Sequence, residues 1–541
     1  MKIKFLALAM IAMLFTACKP DPQPDGGDGS GTNNGNAENS YIAISIATDN
    51  MDRDFDDGSE TFEDGEDDEN AVKSVNVFFF RNGNSFIINE AIGKNFQEFV
   101  FNKETPENNN IEEISNEVLV IEEHQGELPN QMVVVLNWTP DKDTYTLTEL
   151  QAALTNHINT IDGKNYFVMS NAVYKDAAGD VYATPLAITD FKETATDATN
   201  NPVQVYVERV AAKVRVKTPN VTEHKFALLK AGAGEYKVKV EGVETQVYAK
   251  ITGWELYNDY QESYLLKNIE GLPAYNDEFN GFYWNSPSNH RSYWAKSRTG
   301  FKETLSYTSI TGYPDQKYCG ENTNSPLDGD DKTSRTQVVL KAELQAEDGQ
   351  PIEIARWHGN DYIGEENLII AVTNTLVNTY YTRTLDAVNS TAEKPVYIYN
   401  SITTNDLKTV VGSTLGEKEY EVYIQLKDDT KTWYKRNGSD FAVITCADLN
   451  DELKGIIGEA LLYEGGKTYY FTDIKHLGNT YGVVRNHIYD ININSITGLG
   501  TPVVSGNTVI ETPEVPKDNA TYVAAQINIL SWRLITNEVE L

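Results

Sequence analysis

The sequence predicts a mainly β protein with two or three β-sandwich-like domains and minor helix. Apolar and polar residues alternate at period two in segment after segment, the pattern of a pleated strand with two unlike faces. Helical periodicity is confined to a few short patches. At 541 residues the chain is also too long for one ordinary core.

Lys2 and Lys4 precede an apolar run, Phe5 to Phe15, about the length of a signal-peptide core and too short to span a bilayer. Leu14-Phe15-Thr16-Ala17-Cys18 follows and resembles a bacterial lipoprotein signal, with its Leu one place early. On that reading residues 1–18 are a signal peptide, and Cys18 becomes the acylated, palmitate-bearing first residue. The other reading is an ordinary secretory signal with an incidental cysteine. The scarcity of other cysteines and the tether-like stretch after Cys18 favour the first. Residues 19–39 hold Pro, Gly, Asp and Asn and almost nothing apolar, so they form a flexible linker. No later run is long and apolar enough to span a bilayer. The expected protein is exported and soluble apart from its lipid.

Tyr41 to Thr48 places Ile42, Ile44 and Ile46 on one face of a first strand, and Val72 to Arg81 forms a second. Between them lies a long acidic loop in which Arg53 is the sole Arg or Lys between Lys19 and Lys73. Loops of this length are either functional or disordered. Further strands are expected at 96–102, 118–122 and 132–138. Thr146-Leu147-Thr148-Glu149 resembles a capping box opening a helix through Ile158. In Asn201 to Lys217 the alternation slips near Arg209 to Ala212, which reads as a bulge.

Strands follow at 238–240, 247–256, 338–344, 422–426, 468–471, 483–496 and 522–534. Helix-like patches span 360–377 and 446–463. The division is placed near Thr218–Lys230, giving an N-terminal domain over 40–220 and a C-terminal β domain over 221–541. In the last segment Val523, Ala525, Ile527 and Ile529 share one face, with Trp532 just beyond. Termini usually fray. A chain that ends on an apolar strand needs a sheet to receive it, on its own molecule or another.

A formal charge of −35 and a pI near 4.5 argue against a nucleic-acid partner. Cys319 and Cys446 either pair or stay as free thiols. There is no zinc spacing, HExxH, GxSxG or phosphate-binding loop. No enzyme, metal or cofactor is expected. His487 reads as a structural residue. The acidic stretches Asp54–Glu69 and Asp328–Asp331 lack EF-hand spacing and read as solvated loops. The aromatic run Phe279 to Trp294 is either a sugar-stacking platform or a core seam, and the core is favoured.

Several segments carry a resemblance together. They are Phe167-Val168-Met169-Ser170-Asn171, Val207-Glu208-Arg209-Val210-Ala211-Ala212-Lys213-Val214, Arg291-Ser292-Tyr293-Trp294-Ala295 and Tyr318-Cys319-Gly320-Glu321-Asn322-Thr323. Val484-Arg485-Asn486-His487-Ile488-Tyr489, Gly498-Leu499-Gly500-Thr501-Pro502 and Ser531-Trp532-Arg533 before Val539-Glu540-Leu541 complete the set. In order and co-occurrence they resemble the fimbrillins, subunits of protease-assembled (type V) pili, and most of all the Mfa-like short-fimbria major subunit.

The resemblance implies a fimbrillin-type fold and a structural pilin that forms a fimbrium shaft for cell adhesion and biofilm. The precursor would be a lipoprotein anchored in the outer membrane. An Arg/Lys-specific surface protease would cut at Arg53 and release the plug residues Ile42, Ile44 and Ile46. The donor strand of another copy, with Val523, Ala525, Ile527, Ile529 and Trp532, would then fill the groove. Partners would be further copies, anchor and tip subunits, the processing protease and a host or bacterial surface receptor. The alternatives are an anchor or tip subunit, or a surface glycan-binding lipoprotein.

Overall fold

The computed structural model describes residues 39–48, 61–62, 65–88, 90–100, 115–122, 127–220, 222–232, 234–260, 262–271, 278–279, 282–283, 285–286, 291–297, 304–323, 335–476, 481–504, 509–510, 522–530, 533–534 and 536–537. It is mainly β with few helices. Among the described residues no helix is long and apolar enough to cross a membrane.

The first large sheet runs in the order Asn84–Ser85, Ser74–Arg81, Gln131–Leu136, Met169–Asn171, Val203–Arg209, Asn39–Thr48, Ser115–Glu122. Its central strands are apolar on both faces. Val75, Val77, Phe79, Val134 and Leu136 enter one core with Phe86, Ile88 and Leu186. Phe78, Phe80, Val133 and Val135 enter another with Tyr145, Leu150, Leu265, Leu266 and Trp294. This two-sided burial explains the unbroken run Val77-Phe78-Phe79-Phe80, which alternation alone does not.

The chain leaves this sheet at Arg209 and enters a second at Ala212. The slip in alternation is therefore a change of sheet rather than a bulge. The second sheet is ordered Gly234–Glu235, Leu229–Lys230, Ile488–Thr497, Ala212–Lys217, Lys317–Cys319. Facing it is a five-stranded sheet: Lys225–Ala227, Tyr248–Tyr257, Gln337–Gln345, Lys467–Asp473, Thr501–Pro502. Val214, Val216, Tyr489, Ile491 and Ile493 meet Trp254, Leu256, Leu340, Ala342 and Tyr470 between them. That is a sandwich core of interdigitated inward faces.

Gln337–Gln345 and Lys467–Asp473 are antiparallel neighbours, yet more than a hundred residues separate them in the chain. The intervening stretch builds its own core. Leu368, Val372 and Leu376 of one helix (Gly364–Leu376) pack with Leu449, Leu453 and Ile457 of another (Cys446–Ile457), and with Trp433, Ile424 and Leu407 from short sheets.

Both helices are shorter than their sequence patches. Asn360–Ile363 pairs in a hairpin with Ile354–Trp357, and Gly458 at φ 71 ends the second helix before the strand Leu461–Tyr463. Thr146 and Glu149 do form the capping box, but the helix stops at Ala152. Leu154–Asn156 is drawn instead into pairing with Glu262–Tyr264, so tertiary contact overrides local propensity.

Cys319 and Cys446 are free thiols, the first buried. Tyr293 and Trp294 are buried, as a core seam requires.

His476 lies at the heart of this packing. Its Nε2 lies 2.7 Å from the Tyr293 carbonyl oxygen and so must donate. Its Nδ1 then accepts from the Tyr489 hydroxyl at 2.9 Å, which in turn accepts the Val484 N–H at 2.8 Å. Burial lowers its pKa from 6.5 to about 4. The folded state therefore binds a proton less readily than the unfolded chain. The resulting stability is complete above about pH 6.5 and is lost as pH falls toward 4, up to about 3 kcal/mol. Urea midpoints should drop across that window, and the His476 ring resonances should not titrate above about pH 5 in NMR spectra.

Candidate assembly site: the first strand, the last strand and the joint between sheets

The first strand, Asn39–Thr48, is an interior member of its sheet. It pairs in parallel with Val203–Arg209, Ile44 opposite Val203 and Ile46 opposite Val205. On its other edge it pairs antiparallel with Ser115–Glu122, Ile42 opposite Leu119. The parallel ladder covers Ile44 to Thr48 and the antiparallel one Asn39 to Ser45, so the two overlap at Ile44 and Ser45, and among the described residues no other strand joins the two flanking ones directly.

The last long strand, Tyr522–Leu530, pairs antiparallel with Ile488–Thr497. Val523, Ala525, Ile527 and Ile529 stand opposite Ile496, Ile493, Ile491 and Tyr489, all four of them buried core residues. Of the expected strand through Leu534, Tyr522–Leu530 forms this ladder. Arg533–Leu534 pairs with Thr61–Phe62, and Thr536–Asn537 folds back on Ile527 and Asn528. Cys18, Arg53, Trp532 and Asp328–Asp331 lie outside the described residues, as does most of Asp54–Glu69.

Between the two sheets the chain passes through a set of buried ion pairs. Glu208, at the end of the first sheet, binds Lys267 at 2.7 Å, and Lys267 also donates to the Ser292 carbonyl at 2.8 Å. Burial depresses the Lys267 pKa although Glu208 opposes the shift. Lys213, at the start of the second sheet, meets Glu69 at 2.8 Å. Burial would raise the Glu69 pKa, but hydrogen bonds from Lys213 and Tyr318 outweigh it and hold the carboxyl below its ordinary value.

Arg209, between them, donates Nε–H to the Glu69 carbonyl at 2.9 Å and also binds the Asn70 side chain. Arg485 completes the set. It pairs with Glu321 at 2.7 Å and donates to the Leu265 carbonyl at 3.0 Å. The Asn486 N–H reaches the Ala211 carbonyl at 2.6 Å, and the Lys213 N–H reaches the His487 carbonyl at 3.0 Å. Gly320 lies so close to another backbone that a Cβ would sit 2.2 Å from the Tyr260 carbonyl oxygen.

Four of the motifs singled out in the sequence, around Ser170, Glu208–Lys213, Gly320–Glu321 and Arg485–His487, therefore meet at one joint. Sequence reasoning missed the pairing. The one signal was Lys267 standing beside the apolar pair Leu265-Leu266.

Residues 462–538 match the family described as major fimbrial subunit protein type IV, fimbrillin, C-terminal. The C-terminal region is fimbrillin-like. The match begins just before Lys467–Asp473 and takes in Ile488–Thr497 with the terminal strand that pairs to it.

Solved structures similar to this chain include the tip fimbrial protein Mfa3 from Porphyromonas gingivalis with C-terminal truncation. It is 10% identical, with 91% of this chain and 100% of that one covered and a TM-score of 0.30. A fimbrilin (fimA) from Porphyromonas gingivalis W83 is 12% identical, with 90% and 96% covered and a TM-score of 0.32. A fimbrial assembly protein from Parabacteroides distasonis ATCC 8503 is 12% identical, with 67% and 99% covered and a TM-score of 0.26. No curated protein matches.

Glu208→Ala should cost about 3–5 kcal/mol in urea unfolding, because it strands the buried Lys267 ammonium. Replacing both partners by apolar residues of like volume should cost much less. Gly320→Ala should cost about 1–3 kcal/mol by the same measurement, since the obstacle is backbone rather than a movable side chain.

Proposed function

We propose that this chain is a fimbrial shaft subunit. It is exported as a lipoprotein acylated at Cys18, cut by a surface protease at Arg53, and polymerised when one copy's terminal strand replaces another's first strand. The observation that carries the reading is the contrast between the chain's two ends. The first strand bridges Ser115–Glu122, on which its first half lies, and Val203–Arg209, on which its second half lies, and the acidic stretch that holds Arg53 follows it in the sequence. The terminal strand alternates apolar residues at the same spacing and lies within the fimbrillin-like region.

Loss of residues up to Arg53 would remove lipid and first strand together. It would leave two ladder edges facing a gap, and such edges are templates for a further strand. Seating four or five apolar side chains there, at roughly 1.5–3 kcal/mol each, would give a gross gain of about 10 kcal/mol before ordering costs. Slow dissociation would follow, as a load-bearing fibre needs. The chain would sit at the cell surface among further copies and accessory fimbrial subunits, performing no chemistry of its own.

Electron microscopy of the purified chain before and after limited trypsin digestion tests this. Fibres should appear only after digestion, and their subunits should begin at Asp54 on N-terminal sequencing. Arg53→Ala, or deletion of residues 522–541, should abolish them. Fibres whose subunits still begin upstream of Tyr41 would overturn the release of the first strand. A trimmed chain with its last twenty residues intact that stayed monomeric at high concentration would overturn the exchange itself.

A further inference from the structure

The stretch between Gln337–Gln345 and Lys467–Asp473 also carries a four-stranded antiparallel sheet, in the order Tyr397–Ser401, Tyr380–Leu385, Trp433–Asn437, Asp440–Ile444. Its inner face puts Tyr380 and Trp433 into the core around the two helices. The register gathers Tyr381, Arg383, Tyr399, Tyr434, Arg436 and Phe441 on the outer face. The solvent side of an antiparallel sheet is ordinarily polar. This one is aromatic, and Leu385, Tyr397 and Val443 on it are 56%, 37% and 69% exposed.

The side chains form one connected set. Tyr399 and Phe441 stack with centroids 3.8 Å apart and planes 8° from parallel. Tyr381 meets Phe441 edge-on at 5.0 Å, and Tyr434 meets Tyr399 edge-on at 5.4 Å. The exposed Arg383 guanidinium lies 4.0 Å from the Tyr397 ring centroid and 4.7 Å from that of Tyr434. Aromatic faces hold a guanidinium by its charge and leave its N–H donors unspent. Among the described residues Arg383 makes no hydrogen bond or ion pair, and the hydroxyls of Tyr397 and Tyr399 are likewise uncommitted.

Charge sets this face apart. Acidic residues outnumber basic ones 80 to 45 in the chain, yet the outer face presents two arginines and no carboxylate. The one carboxylate of the four strands, Asp440, alternates to the inner side with Lys435. Asp386, just past the second strand, is spent on Val388 and Asn389. Arg383 and Arg436 stand two residues to either side of the paired Tyr381 and Tyr434, about 13 Å apart along the strands.

We propose that this outer face binds an oligosaccharide built from uronic acids. The C–H side of a pyranose is weakly positive and lies well against the negative face of an aromatic ring. The planar fork of Arg383 takes a carboxylate through two parallel hydrogen bonds. A carboxylate recurring along a sugar chain reaches both arginines, and a single terminal acid sugar does not. A large acidic partner, a second copy included, would bring its own repulsion against a surface of charge −35. A slender chain feels only the charges within a Debye length, about 10 Å.

Isothermal titration calorimetry of the uncut full-length chain with tetragalacturonate tests the site. At low salt the Kd should be about 1 mM or below. Binding should weaken as salt approaches about 1 M. Arg383→Gln should raise the Kd at least about tenfold, the loss expected of charged hydrogen bonds, at an unchanged urea midpoint because the side chain is exposed. Arg383→Lys, which keeps the charge and loses the fork, should fall between the two. Tyr397→Ser should weaken binding as well. Neutral maltotetraose should bind at least about tenfold more weakly than tetragalacturonate.

No binding of tetragalacturonate, or equal binding by wild type and Arg383→Gln, would overturn the site. Hexaglutamate bound as tightly as tetragalacturonate would overturn the sugar in favour of an acidic peptide. Fibres play no part in the readout, so the proposed strand exchange can fail and leave this result standing.

Discussion

Glu208 and Lys213 flank the point at which the chain leaves one sheet for the next, and each is buried against a partner from far along the sequence. Taking such charges out of water is expensive, and the attraction within a pair returns little more than that cost. What they supply is geometry. Lys267, Glu69 and Arg209 can meet their partners in one arrangement of the two sheets, and an apolar seam would tolerate several. Arg485 and Glu321 repeat the device a few residues away, with the Leu265 carbonyl and the Ser170 hydroxyl as further partners. The joint is thus specified by polar groups, and the cores on either side supply the bulk of the driving force.

The strands were legible because their alternation is local. Val422–Leu426 is bounded as its residues suggest, Tyr248–Tyr257 is displaced from its pattern by one residue, and Gln337–Gln345 extends its pattern by one residue at each end. The failures came where distant segments decide. Leu154–Asn156 looks helical until Glu262–Tyr264 offers it a ladder. Arg209 to Ala212 looks like an irregular strand until the second sheet claims its latter half.

The candidate site was legible in the same measure. The alternating ends of the chain could be read off. The neighbour that each end takes, and the small pair between residues 61–62 and 533–534, depend on contacts hundreds of residues apart and leave no mark in the local pattern.

The helical module between Gln337–Gln345 and Lys467–Asp473 is an excursion between two neighbouring strands. Glu343 and Lys467 are register partners, so the excursion leaves and re-enters the sandwich about one strand spacing apart. Ile352, Ile354 and Tyr463 of the excursion still enter the sandwich core, while the two helices and the short sheets around them form a cluster of their own. The helical part can therefore vary in size and surface more freely than the strands that root it.

The segment from Val203 to Lys217 is one unbroken length of backbone. Its early residues carry the first strand, and its later ones lie beside Ile488–Thr497, which carries the last. A pull applied at one end of the molecule and resisted at the other would travel along this single cord, loading its hydrogen bonds in shear rather than unzipping them one by one. The cord is seated in both interiors, through Val205 and Val207 on one side of the joint and Val214 and Val216 on the other, so core packing resists its sliding as well.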